Sequence, residues 1–323
     1  MALNYDAISA LTKIKYMPRI VDQIFKSTPL LSLLRERQVT YDGGYKIVEP
    51  LAYGELSGIK SYSLYDTVTY DQNIPISAAE FRPKNIVAPF TISKDEELQN
   101  RGENEVLNLI NAKMEILRNS LQKQLTLQIL GDGTGNDGKD IDGFAAMLDD
   151  TNVYGGIDRS QYPWWRVNVF RNGGTPRPLT TKLMLTAYLA CTDGQDKPTV
   201  IVCDKKTWMK YYELVEGKVQ LVTQPMKKLI GLGFQTLEFM GIPVIWDDHI
   251  DPDVHGGGNG IMYFINTRYV KLRPHKRANF TVTPMRQADN QIAFKQEILW
   301  TGNLTLNHAR RQAVIKDIDI SDV

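Results

Sequence analysis

The residues with the most chemical potential lie between 131 and 144 and read Gly-Asp-Gly-Thr-Gly-Asn-Asp-Gly-Lys-Asp-Ile-Asp-Gly-Phe. Within them, Gly133 to Asp140 is one residue away from a phosphate-binding loop, Gly-x4-Gly-Lys-[Ser/Thr], in which backbone amides and the lysine hold phosphates and the last hydroxyl holds Mg²⁺. Asp140 stands where that hydroxyl belongs and would set a negative charge beside the phosphate. The setting is also wrong, because a phosphate loop leaves a strand and opens a helix, whereas this segment closes a long helical pattern. A nucleotide-binding enzyme using the loop at 131–140 is the alternative to the reading developed below.

Other reactive residue types are sparse. His249, His255, His275 and His308 are the four histidines, and none has the His-Glu-x-x-His spacing of a zinc site. His255-Gly256-Gly257-Gly258 has the look of an esterase oxyanion loop, but no Gly-x-Ser-x-Gly elbow supplies a nucleophile. Asp247, Asp248 and Asp251 are more simply strand-end and turn residues than cation ligands. Asp137, Asp140 and Asp142 miss the register of a calcium loop, because Gly138 falls where the first ligand should be. No catalytic, cofactor-binding or metal residue is therefore assigned, and no cofactor is expected. Two basic runs, Arg273-Pro-His-Lys-Arg277 and His308-Ala-Arg-Arg311, lack the aromatic interleaving of a nucleic-acid site. They are expected to pair with acidic residues of a neighbouring subunit.

Composition sets the limits. In 323 residues, 38 Lys+Arg face 37 Asp+Glu, for a formal charge of +1, so no global field draws the chain to nucleic acid or to an anionic membrane. Cys191 and Cys203 lie 12 apart on apolar segments with no Cys-x-x-Cys partner, and read as buried thiols of a protein made in a reducing compartment. No apolar run reaches the roughly 18 residues of a membrane span. The N-terminus lacks the basic and apolar blocks of a signal peptide.

The elements follow from periodicity. Residues 1–40 carry a helical apolar rhythm too short for its own core and read as an arm. Residues 41–92 turn to strand and turn composition. In Ser61 to Tyr70, Leu64, Asp66, Val68 and Tyr70 alternate with Tyr65, Thr67 and Thr69, which predicts one arm of a long open hairpin. Pro83 and Pro89 in the extended stretch Phe81–Ile92 fit a sheet edge. Such an exposed aromatic ribbon is a liability in a monomer and makes sense if another copy covers it.

A capping box at Ser93–Glu96 opens a helix whose apolar residues, from Leu98 through Met114, Leu121 and Leu125 to Ile129, recur at spacings of three and four. Running from 94 to 130, it would be roughly 55 Å long at about 1.5 Å per residue. Strands and helices alternate over 145–272, including Thr199–Cys203, Lys205–Glu216, Ile242–Trp246 and Ile261–Ile265. Within that stretch, Tyr162-Pro-Trp-Trp-Arg166 reads as an aromatic plug or an interface anchor. Strands return over 279–318: a hairpin turned at Asp289-Asn290, then a last strand from Leu304 to Ile318.

The long helix running into Gly131-Asp-Gly-Thr-Gly135, then Ile141-Asp-Gly-Phe144, resembles the major capsid proteins of tailed bacteriophages, which have the Hong Kong 97 fold. Gly241-Ile-Pro-Val-Ile-Trp-Asp247, Tyr263-Phe-Ile-Asn266 and Tyr269-Val-Lys-Leu272 are similar to that family's axial-domain end. Phe144 replaces the usual Leu. The resemblance implies an α+β fold with an N-terminal arm (1–40), an extended loop (41–92), a spine helix (93–131), an α/β axial domain (132–272) and returning peripheral strands (273–323).

It further implies a structural protein of the virion capsid, not an enzyme, made in the bacterial host cytoplasm. Copies would assemble into hexamers and pentamers with a separate scaffolding protein and a portal, in weak non-specific contact with packaged double-stranded DNA and with no membrane. Tyr62, Leu64, Tyr65, Val68 and Tyr70 are the expected subunit contacts. Some relatives join subunits through a Lys–Asn bond. Lys60 lies where such a lysine would be, but no partner Asn can be matched, so that chemistry is not carried over. A cellular encapsulating shell protein of the same fold stays open beside the phage reading.

Overall fold

The computed structural model describes residues 29–54, 59–67, 75–94, 103–216, 237–288 and 291–322. In chain order come helix α1 (Pro29–Glu36), strands β1 (Ile47–Ala52), β2 (Ile76–Phe81) and β3 (Lys84–Ser93), and the long helix α2 (Glu103–Leu130). A small hairpin, β4 (Val153–Tyr154) and β5 (Ile157–Asp158), leads to β6 (Asn168–Phe170), α3 (Thr181–Ala190), β7 (Val200–Cys203) and α4 (Lys205–Val215). Then follow β8 (Leu237–Phe239), β9 (Ile242–Trp246), β10 (Gly260–Ile265), β11 (Val270–Pro274), β12 (Thr281–Val282), β13 (Arg286–Gln287), β14 (Ala293–Leu306) and β15 (Ala313–Ile318). Residues 1–28 of the arm expected over 1–40, the capping box beyond Lys94 and the turn at 289–290 lie outside the described residues.

Two sheets organise these elements. In the peripheral sheet the 14-residue β14 is central. One edge pairs with β3 from Ala293–Ser93 to Gly302–Lys84, and the other is taken in turn by β13, β12 and β11. Pro89 sits in β3, whose only sheet partner among the described residues is β14, so its missing N–H costs the ladder nothing. Helix α2 lies over β3, and Lys113 Nζ donates to the Thr91 carbonyl (3.1 Å). Its buried stripe, Met114, Leu121, Leu125 and Ile129, keeps the spacing of four and seven that holds one helical face on the sheet.

The axial sheet has six strands in the order β6-β15-β10-β7-β9-β8. Its inner strands are apolar on both faces: β7 and β10 are buried throughout. Helices α3 and α4 cover one face over Met184, Ala187, Ile201, Tyr211, Met262 and Ile315, and the other face joins the core beneath α2. Asp204 fixes the start of α4, its carboxylate accepting from Thr207 N (2.9 Å) and Thr207 Oγ1 (2.6 Å), and also from Ile261 N on β10 (3.0 Å). Tyr212 lies on the outer side of α4 and stacks on Trp208.

Three expectations are corrected. The strand predicted over Leu304–Ile318 breaks at 307–312, and β15 crosses into the axial sheet between β6 and β10, so 273–323 is not one peripheral unit. Conversely β11, read as the end of the axial domain, pairs with β14. Strand β15 is buried on both faces but for Lys316 and carries no local mark of which sheet it joins, and the alternating burial of β11 fits either sheet. Finally, β3 does not extend the ribbon of 41–92 but leaves it for the peripheral sheet, so the paired ribbon is β1 with β2 alone.

Candidate subunit-contact surface

The ribbon has a buried root and a bare tip. Its inner face, Ile47, Leu51, Ala79 and Phe81, is buried, while Val48 and Ile76 face solvent. Glu49 lies within that inner face and is almost fully buried. Its carboxylate accepts from Arg273 Nε on β11 (2.7 Å) and Thr305 Oγ1 on β14 (2.9 Å), and forms an ion pair with the Arg273 guanidinium. A buried carboxylate is tolerated when paired and bonded in this way. Glu80 N donates to the Gly155 carbonyl (2.9 Å), and the Tyr53 ring stacks on Trp164 at 5.0 Å. Tyr53 N to the Pro75 carbonyl (3.0 Å) is the last described rung.

Beyond that rung the predicted strand is a turn. Asp66 Oδ2 accepts from Ser63 N (2.8 Å), Asp66 N donates back to the Ser63 carbonyl (3.0 Å), and Lys60 Nζ donates to the Thr67 carbonyl (2.7 Å). The local Asp–Ser bonds win over extended pairing. The turn leaves Ile59 (86 %), Tyr62 (76 %), Leu64 (92 %) and Tyr65 (98 %) exposed. Val68 and Tyr70, predicted with them, lie outside the described residues.

The glycine-rich segment is a joint between helix and sheet. Gly131 N donates to the Leu127 carbonyl (2.9 Å) and ends α2. A Cβ on Gly143 would lie 2.5 Å from both the Gln128 and Gly131 carbonyl oxygens, so only glycine lets the returning chain pass the helix end. The Asp142 carboxylate accepts from Asn303 Nδ2 (2.7 Å), which also donates to the Arg82 carbonyl (2.8 Å), tying this loop to β14. Asp140 accepts from Gln128 Nε2 (2.9 Å).

The amides a phosphate would need are already engaged: Gly138 N bonds Thr134 O, and Lys139 N bonds Asn136 O. With Asp132, Asp137, Asp140 and Asp142 in the same segment, the loop repels an anion, and this geometry does not support the nucleotide alternative.

Sequence reasoning missed a buried cation that organises the next segment. Arg159 is fully buried and makes no ion pair among the described residues; it donates to the carbonyls of Trp165 (3.1 Å), Ala146 (3.0 Å), Asp149 (2.5 Å) and Met147 (2.7 Å) and to Asn152 Oδ1 (2.8 Å), and lies 5.0 Å over the Tyr154 ring. Burial pushes its guanidinium down to about 10. The aromatic cluster at 162–166 closes over it. Trp165 is buried with Nε1 donating to the Tyr154 carbonyl (2.9 Å), and Arg166, singled out in the sequence, donates to the Arg159 carbonyl (2.5 Å). Only the acceptor-rich carbonyl set, not any spacing, identifies Arg159.

The remaining candidates spread out. Among the described residues no group of three or more His, Cys, Asp or Glu is placed to hold a metal. Asp247 Oδ1 accepts from His249 N and, whenever Nδ1 carries the hydrogen, from the ring (both 3.0 Å); that side-chain hydrogen bond raises the histidine above its ordinary value against a smaller effect of burial. The basic runs find acidic partners in their own chain, not on a neighbour as expected: Arg273 with Glu49, Lys276 with Asp42 (3.5 Å) and Arg311 with Asp193 (2.5 Å). Burial pushes the Cys191 thiol up to about 12 and raises Cys203 as well; both are free.

No protein-family model and no curated protein matches the chain. Solved structures do. A chain of the cyanophage A-1(L) capsid asymmetric unit superposes with a TM-score of 0.68 at 18 % identity, over 90 % of this chain and 92 % of that one. A chain from the capsid of a native GTA particle gives 0.58 at 9 % identity, over 89 % and 90 %. One from the capsid of Myoviridae phage XM1 gives 0.53 at 14 %, over 86 % and 88 %. This chain has the fold of phage capsid subunits. In that Hong Kong 97-type fold, α2 is the spine helix, β1–β2 the root of the extended loop, and the two sheets are the peripheral and axial layers.

Proposed function

We propose that this chain is the major capsid subunit of a tailed double-stranded DNA bacteriophage and that its work is assembly, with no catalytic residue. The carrying observation is the tip at 59–67, where four large apolar side chains stand in water on a ribbon whose root is fixed by a buried ion pair. Exposure on this scale marks an interaction surface. A capsid fold covering nine-tenths of the chain supports a second copy as what covers it.

A tip laid on a neighbour is a heterologous contact, which closes rings of hexamers and pentamers and then a shell. Tyr62, Leu64 and Tyr65 are proposed as contact residues, and Val68 and Tyr70 with them on the sequence argument alone. A separate scaffolding protein, a portal and weak non-specific contact with packaged DNA complete the proposed partners, with synthesis in the host cytoplasm and residence in the virion capsid. Electron microscopy and light scattering of the purified protein test this: closed particles far above the 36.7 kDa monomer are expected, and a monodisperse monomer at high concentration overturns the proposal.

A further inference from the structure

We infer that the ribbon tip docks, in a second copy, into a groove at the root of that copy's own ribbon, so that subunits link tip to root. The inference rests on the assembly reading above. The groove holds about 360 Å³, a size that admits a group of a few rings. Its walls are Leu51 and Tyr53 on one side, Trp164 below, and His308 to Arg311 on the other, where the Pro163–Trp165 turn packs on the Ala309–Arg311 turn. The floor is aromatic: Trp164 stacks on Tyr53 and lies 6.1 Å from Tyr162, itself half exposed. Arg310 is exposed at the rim and makes no ion pair among the described residues.

The tip is the matching half. It carries two tyrosines and a leucine, the rings suited to stack on Trp164 and under the Arg310 guanidinium. Its charges are one Lys60, turned back onto Thr67, and one Asp66, so it lacks the cluster of cations that would take it to an anionic lipid surface, and Asp66 offers Arg310 a carboxylate. The tip does not fill its own chain's groove, since Leu64 and Tyr65 are almost wholly exposed. Root and tip lie at opposite ends of one element, so a tip-to-root contact is head-to-tail and repeats around a ring without a two-fold partner.

The test uses the full chain carrying Ser63→Cys on the tip and Ala190→Cys on the groove wall, which leaves Tyr65 and Arg310 in place, with the native Cys191 and Cys203 buried and out of reach. Both changed side chains are exposed, so the fold tolerates them. After assembly, a short bismaleimide is added and the products are separated under denaturing conditions. A ladder from dimer upward that neither single variant gives is the expected result. Assembled particles with no ladder, or a link within one chain, overturn the tip-to-root contact while leaving the capsid reading intact. Failure of the parent protein to assemble overturns the capsid reading and this inference with it. In parallel, Arg310→Glu should raise the concentration needed for assembly about tenfold, and an unchanged threshold counts against the contact.

Discussion

Arg159 and His249 show how single residues set this molecule's tolerance to change. Arg159 satisfies four carbonyls and an amide oxygen inside a segment with little regular structure. Replacing it with Met fills the space but leaves those acceptors unpaired, so Arg159→Met should cost about 3 kcal/mol or more, read as a lower urea midpoint of the unassembled chain. His249 gives a pH signature. Its folded pKa is raised above 6.5 by Asp247, so its stabilisation is complete below pH 6.5 and disappears as pH rises through the raised value. His249→Gln should flatten the fall in stability over that window, measured by unfolding at a series of pH values. Neither residue could be singled out from the sequence. Asp247-Asp-His249 reads as a strand end, and Arg159 is one arginine among many until the chain folds around it.

The elements that could be read locally were those with a strong period or a strict steric need. The stripe Met114, Leu121, Leu125, Ile129 marks a helix wherever it lies, and Gly143 must be glycine to let the chain pass its end. Gly143→Ala drives a Cβ into three carbonyl oxygens and should destabilise by about 2 kcal/mol or more in thermal unfolding, far beyond the usual effect of Gly→Ala in a loop. What the sequence could not show was long-range partnership. Glu49 finds Arg273 and Thr305 across most of the chain, and β15 finds β6 and β10, with nothing local to announce either. The strand expected at 61–70 failed for the opposite reason: Ser63 and Asp66 bond each other too well to extend. The same local logic disposes of the phosphate-loop likeness. The chain should not retain ATP in equilibrium dialysis, and Lys139→Ala should leave that result unchanged.

At the scale of the molecule, a rigid root carries a bare tip, and the two should separate cleanly by mutation. Glu49→Ala strands the Arg273 cation beneath the ribbon and should cost about 3–5 kcal/mol of folding stability, seen in unfolding before any assembly is examined. Tyr65→Ala removes a side chain that touches nothing in the monomer, so the unfolding midpoint should hold while the yield of closed particles falls. The order of ribbon, long helix, inserted α/β layer and returning strands was legible because each segment has its own composition. The borders between the two layers were not, because the chain crosses between them again at 307–312.

That late crossing has a consequence for biosynthesis. Strand β15 fills the slot between β6 and β10, and its parallel partner β6 is made some 145 residues earlier, from Asn168–Ala313 to Phe170–Ile315. Until residues 313–318 leave the ribosome, a nascent chain holds β10 with one edge open and β6 with no neighbour, while the spine helix and the ribbon have already emerged. The axial layer is therefore the last part to set, and a message truncated before codon 313 yields a polypeptide that carries the sticky tip without a finished body behind it.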